Sequence, residues 1–102
     1  IPNILLSNAF RSAVTAMAKT LAGEVARHGV TVNNLAPGTI MTDRIHQLYS
    51  GSLDEVAHGI PVGRIGDPDE FGAACAFLCS RQAAYITGQT IGVDGGALRG
   101  VY

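Results

Sequence analysis

Apolar residues along the chain fall into distinct rhythms. Val14, Met17, Ala18, Leu21 and Val25 recur at three- and four-residue steps, which predicts a helix from Ser7 or Asn8 to His28. Ser7 or Asn8 suits the cap at its start. Gly29 follows its end, and Arg27 and His28 lie in the last turn, where positive charge suits the helix dipole. Val30, Val32, Leu35 and Ala36 then change to a short strand pattern over 30–36, closed by Pro37 and Gly38. Between 43 and 62 the pattern weakens. A helical turn through His46, Leu48 and Tyr49 is followed by Ser50, Gly51 and Ser52, then by a second helical piece near 53–57. This stretch reads as a mobile lid between two rigid elements.

The pattern sharpens again at Asp67. Asp67 is expected to cap a helix, Pro68 to take its first position and Glu70 to complete a capping box. That helix is expected to run to about Cys79, with Phe71, Ala74, Cys75 and Leu78 on one face. After a turn over 85–89, Thr90 to Val93 reads as a last strand, ended by Asp94, Gly95 and Gly96. Helix, strand, lid, helix, strand is an α/β order, and a strand–crossover–strand unit implies parallel pairing. Two strands make a poor sheet. Residues 1–102 are therefore expected to be part of one domain, the rest of whose sheet comes from elsewhere.

Composition strengthens that expectation. The chain is 47% hydrophobic and 15% charged, where soluble domains carry about 25% charged residues. A small domain has much surface to solvate, so this one is expected to bury part of its surface against further sequence, a second subunit, or both. Ala9, Ala13, Ala16, Thr20 and Gly23 form a second, small-residue stripe on the first helix. A subunit interface and packing within the monomer both fit it. The chain opens at Ile1 without Met, so it is expected to be processed or a fragment, and nothing at its start reads as a signal peptide.

A net charge of -1 gives no footing for nucleic acid or an anionic membrane as partner. No apolar run approaches a membrane span. Cys75 and Cys79 read as two small buried hydrophobes of a protein in the reducing cytoplasm. His28, His46 and His58 are scattered without ligand spacing, so they are expected to face solvent and no metal is expected.

In open α/β sheets, ligands bind outside the carboxyl ends of the strands. For the first strand that end is Pro37, Gly38, Thr39, Ile40, Met41 and Thr42. Gly38 permits a close backbone approach, and Thr42 adds a hydroxyl. By composition alone, a Pro-Gly pair after a strand is simply a turn.

Three linked runs say more. They are Gly29–Val30–Thr31–Val32–Asn33–Asn34–Leu35–Ala36–Pro37–Gly38 followed by Thr42, then Ile60–Pro61–Val62–Gly63–Arg64–Ile65–Gly66–Asp67–Pro68–Asp69–Glu70, and Tyr85–Ile86–Thr87–Gly88–Gln89 with the closing Val93–Asp94–Gly95–Gly96. In this order, over essentially the whole chain, they resemble the short-chain dehydrogenase/reductase family, in its 3-oxoacyl-(acyl-carrier-protein) reductase-like branch. The resemblance implies the carboxy-terminal portion of a Rossmann-type doubly wound parallel sheet. It implies an oxidoreductase that uses NAD or NADP to reduce a small carbonyl substrate or oxidise an alcohol by hydride transfer. It also implies a homodimer or homotetramer, and an amino-terminal half that supplies the glycine-rich phosphate loop. No such loop is present here: Gly92 and Gly96 come nearest, but Leu98 stands where a third glycine is needed. This stretch alone is thus expected to be inactive.

By the same resemblance, Pro37, Gly38, Ile40 and Thr42 contact the nicotinamide carboxamide and the nearby pyrophosphate. The family carries Tyr-x-x-x-Lys at the start of the long helix, and matching on Ala13 and Val14 puts Ser7 at the Tyr position and Arg11 at the Lys position. Arg11 offers charge and ribose hydrogen bonds through a fork rather than an ammonium. A serine hydroxyl is far less acidic than a phenol, so it transfers protons poorly near neutral pH. Two functional readings stay open: an altered acid/base centre built on Ser7 and Arg11, or a relative that binds and assembles without turnover. A plain N-cap is the structural reading of Ser7. Asp94 is expected to orient a turn, Arg64 to tie its loop to the lid helix cap, and Tyr49 to pack within the lid.

Overall fold

The computed structural model describes residues 4–49 and 51–100. Among the described residues the elements are, in order, α1 (Ile4–Val25), β1 (Asn34–Pro37), α2 (Asp43–Leu48), α3 (Leu53–His58), α4 (Pro68–Leu78) and β2 (Thr90–Val93). Single 3-10 turns follow α1 at Ala26–His28 and α4 at Arg81–Ala83. The chain is α/β, and β1 and β2 pair in parallel, Asn34 with Thr90 through Pro37 with Val93.

The local start and stop signals operate as the sequence predicts. Asp67 accepts from the Asp69 amide, and Glu70 reaches back to the Asp67 amide, giving the capping box on α4. Gly29 ends the first helical segment at φ 75, a left-handed conformation that favours glycine.

Other boundaries differ. α1 already includes Ile4, so Ser7 lies within the helix and does not cap it. β1 is shorter than 30–36 and begins at Asn34. The reason is that the preceding backbone is bonded to the 85–89 turn instead of a ladder. The Val32 amide donates to Thr87 Oγ1 at 3.0 Å and its carbonyl accepts from the Gly88 amide at 2.8 Å. Asn33 donates to the Ile86 carbonyl at 3.0 Å and accepts from the Gln89 amide at 3.1 Å.

The core is thin. Only Ala18, Ala22, Ile60 and Ala83 are buried among the described residues. The accessible surface is 7937 Å², against about 5,500 Å² for a folded chain of this mass. The radius of gyration is 15.8 Å, against about 13 Å for a compact domain of this length. Phe10, Val14, Met17 and Leu21 on α1 stay exposed, as do Ala9, Ala13 and Ala16. Cys75 and Cys79 are exposed as well. This corrects the expectation that they are buried, because nothing among the described residues covers that side of α4. No described helix is long and apolar enough to cross a membrane.

The two sheet faces explain how α1 approaches. With alternation along each strand, the register sets Leu35 beside Ile91 on one face and Ala36 beside Gly92 on the other. The small-residue face shares a cleft with Thr15 of α1. One turn of helix further on, Lys19 Nζ donates to the Gly88 carbonyl at 3.0 Å. A Cβ at Gly88 would lie 3.5 Å from that of Ala22. Small side chains on both partners thus permit the approach, which is why the buried residues are mostly alanines.

Candidate functional site

Glycines bring the carboxyl ends of β1 and β2 together. The Gly38 amide donates to the Val93 carbonyl at 3.0 Å, extending the ladder by one step. A Cβ on Gly38 would lie 2.7 Å from both the Cα and the Cβ of Asp94, so only glycine fits. Asp94 is itself fixed, because its two carboxylate oxygens accept from the Gly96 amide at 2.9 Å and the Leu98 amide at 3.0 Å. Asp94 orients the turn, as its place before two glycines predicts.

The 60–70 segment closes against this end. The Val62 amide donates to the Gly95 carbonyl at 3.1 Å. Gly95, at φ 63, adopts a conformation that favours glycine, and a Cβ there would come within 2.6 Å of Val62 Cγ1, so a side chain would be strained and would displace Val62. Ile40 pairs with Gly66 as an isolated parallel bridge. The bonds run from Met41 N to the Gly66 carbonyl at 2.8 Å and from Gly66 N to the Thr39 carbonyl at 2.9 Å. These bonds use the groups on either side of Ile40. Among the described residues nothing is hydrogen-bonded to the Ile40 N–H or C=O, and the bridge geometry turns both away from Gly66. Thr42 caps α2, its hydroxyl oxygen accepting from the Ile45 amide at 3.3 Å.

Arg64 forks onto Glu70 at 2.6 and 2.7 Å. Glu70 Oε1 also accepts from the Asp67 amide at 2.9 Å. The hydrogen bond from Arg64, then that from the Asp67 amide, hold the Glu70 carboxyl down to about 2. The same pairing raises Arg64. The expected tie of Arg64 to a helix cap is therefore to the cap of α4, which follows the lid.

The structure unites some of the residues marked in the sequence and leaves others apart. Pro37 and Gly38 line a cleft with Thr15, Thr90 and Asp94. Ile40 lines a neighbouring hollow with Arg64, Gly66, Glu70 and Asp94. Arg11 lines a third, with Thr15 and Thr90 at its edge. Ser7 and Arg11 are four residues apart in α1, on one helix face, and both are exposed. Ser7 and Thr42 line none of these hollows. Sequence reasoning missed Gly66, whose role depends on a bridge to a residue 26 positions earlier (66 − 40), and Thr15, which has no local signal. No group of metal-ligating side chains occurs among the described residues.

Comparison with known proteins bears on these features together. The family profile described as enoyl-(acyl carrier protein) reductase matches residues 1–97. The chain is 47% identical to the 3-oxoacyl-[acyl-carrier-protein] reductase FabG of Vibrio cholerae over 86% of its own length and 36% of that protein's. It is 36% identical to the NADPH-dependent reductase BacG of Bacillus subtilis over 97% of its length and 42% of that protein's. Among solved structures, YwfH, an NADPH-dependent reductase involved in bacilysin biosynthesis, superimposes with a TM-score of 0.82 at 39% identity, over 88% of this chain and 38% of that one. The chain thus spans about two-fifths of the length of the relatives it matches. The alignment to BacG runs 110 positions, more than the 102 residues here, so BacG carries additional residues within the matched stretch.

Proposed function

The chain belongs to the short-chain dehydrogenase/reductase family, and from that premise we propose that it forms the nicotinamide-facing end of an NAD(P)-dependent oxidoreductase. One observation carries the reading. The Ile40 N–H and C=O are a backbone donor and acceptor held in fixed places by the bridge to Gly66, with no described partner of their own. A primary carboxamide offers one acceptor and two donors, so it complements such a pair. Pro37 and Gly38 shape the floor beside it, and the Thr42 hydroxyl, which only accepts within its cap, has its proton to donate to a pyrophosphate oxygen. A bound nicotinamide supplies or accepts the hydride. This chain's residues hold and orient it. NADPH is the first form to test, since BacG and YwfH are named as NADPH-dependent.

On the substrate side, Arg11 presents positive charge and up to five N–H donors, suited to a ribose hydroxyl or a developing alkoxide. Ser7, one turn away on the same face, carries the only hydroxyl of that helical turn. Together they form an acid/base centre weaker than a phenol and ammonium. The substrate is a small carbonyl or alcohol. The exposed Phe10 and Leu21 of α1 suit self-association as a homodimer or homotetramer. The two free thiols, Cys75 and Cys79, suit a cytoplasmic protein.

The serine supports a second reading, in which the protein binds cofactor without turnover. Cofactor oxidation by the natural full-length protein, measured with NADPH and NADH against small carbonyl substrates, separates the two. Turnover that falls about 100-fold in Arg11→Ala, with cofactor still bound, supports the enzyme. Binding with no turnover, and turnover gained in a Ser7→Tyr/Arg11→Lys variant, supports the second reading. No binding of either cofactor overturns both.

A further inference from the structure

We propose that Arg64 is a positioning residue for cofactor: through Glu70 it fixes the loop that presents Gly66 to Ile40, and so sets where the carboxamide-binding N–H and C=O point. The inference rests on the cofactor reading given above for Ile40.

The chain of contacts is continuous and short. Arg64 grips both oxygens of Glu70 at 2.6 and 2.7 Å. One of those oxygens accepts from the Asp67 amide at 2.9 Å. Asp67 directly follows Gly66, whose amide and carbonyl make both bonds of the bridge around Ile40. Arg64 and Asp67 thus hold Gly66 from either side. The hollow beside Ile40 is lined by Arg64, Glu70, Gly66 and Asp94 together.

Stability does not account for the fork. Its side chains are 56% and 46% exposed, and an ion pair that open to water adds little. A planar guanidinium on a carboxylate does fix relative orientation, because two parallel hydrogen bonds leave no freedom to rotate. Gly66 has reason to be held. A Cβ there would lie 2.8 Å from Ile40 Cδ1, so the loop backbone runs directly against the Ile40 side chain. A loop free to drift would let Ile40 turn its N–H and C=O out of line, and binding through paired hydrogen bonds falls steeply with misalignment.

The test compares ligands that share all but the nicotinamide. Dissociation constants of NADH with ADP-ribose, and of NADPH with 2′-phospho-ADP-ribose, are measured by calorimetry on the natural full-length protein and on Arg64→Ala, with Arg64→Gln beside it as a folded substitute of similar length. The expected result is weakening of the dinucleotide by about tenfold, the equivalent of one hydrogen bond, with the matching ADP-ribose unchanged within about twofold. Arg64→Lys, which keeps charge and loses the fork, should recover only part of the loss. Equal weakening of dinucleotide and ADP-ribose, or weakening of neither, overturns the positioning role and leaves the cofactor reading intact. Failure of the natural protein to bind either dinucleotide overturns that reading, and the positioning role with it.

Discussion

The carboxyl end of the sheet and helix α1 are held in different ways. At the sheet end, backbone hydrogen bonds tie Gly38 to Val93, Gly95 to Val62 and Gly66 to the groups on either side of Ile40, and Gly38 approaches the Asp94 backbone too closely for a side chain. In contrast α1, 22 residues long, buries only Ala18 and Ala22, and among the described residues its one long-range side-chain hydrogen bond runs from Lys19 to Gly88 in the turn before β2. The residues proposed to face the nicotinamide are therefore held in place by contacts within this chain. The proposed acid/base pair, Ser7 and Arg11, sits near the start of a helix whose apolar sides nothing described covers. A site that needs both must have α1 positioned by other surface, from further sequence or from a second copy.

The same substitution should act oppositely in the two regions, and the larger effect belongs at the sheet end. Gly38→Ala would drive a Cβ to within 2.7 Å of the Asp94 backbone. Backbone cannot step aside as a flexible side chain can, so a stability loss of about 2–3 kcal/mol is expected. Urea unfolding of the natural protein and its variant measures it, and cofactor affinity should fall with it. A loss under about 0.5 kcal/mol would mean that the two strand ends are not locked, and the contrast between the regions would vanish.

Much of this contrast was readable in the sequence, for physical reasons that differ by residue. The capping box of Asp67 and Glu70 is local chemistry, so it was legible within four residues. The last strand was legible because Asp94, Gly95 and Gly96 end it within the same short window. The start of β1 was not, because Val32 and Asn33 bond to the 85–89 turn, more than 50 residues away, and periodicity carries no trace of that partner. Ser7 looked like a cap because serine favours caps, yet the apolar Ile4, Leu5 and Leu6 before it continue the helix. Pro37, Gly38, Ile40 and Thr42 were marked by resemblance. Gly66, which holds Ile40, was visible only as part of a motif, since the bridge is a long-range pairing.

Gly23 on α1 gives the second, smaller arm of the comparison. A Cβ there meets nothing within 4 Å among the described residues. Gly23→Ala should therefore stabilise the helix by about 0.5–1 kcal/mol, the ordinary gain from replacing glycine in a helix interior. Thermal unfolding of the natural protein checks the sign. A loss instead of a gain would show that another backbone lies close to the small-residue stripe of Ala9, Ala13, Ala16, Thr20 and Gly23. Repeating the measurement across protein concentration would then separate a second copy from the same chain, because only a subunit interface makes the midpoint concentration-dependent.

The smallest expected effect is an acid transition confined to the sheet end. Glu70 titrates near 2 in the folded chain, against a usual 4.5, held down first by Arg64 and then by the Asp67 amide. A carboxyl lowered by folding contributes its stability fully above the unfolded value. That contribution fades as pH falls from about 4.5 toward about 2. The group is open to water, so the global effect should be slight. The local one should not be, because protonation removes the negative charge that holds the Arg64 fork and leaves a neutral, weaker acceptor for the Asp67 amide. Amide hydrogen exchange at Asp67 and Gly66 should quicken across that window, relative to the ordinary pH trend of the exposed α1 amides. Glu70→Ala, which removes both acceptor oxygens, should abolish the pH dependence and leave exchange fast throughout. Unaltered protection of Gly66 down to pH 2 would mean that the bridge to Ile40 holds without the fork, and that the rigidity of the sheet end comes from its glycine contacts alone.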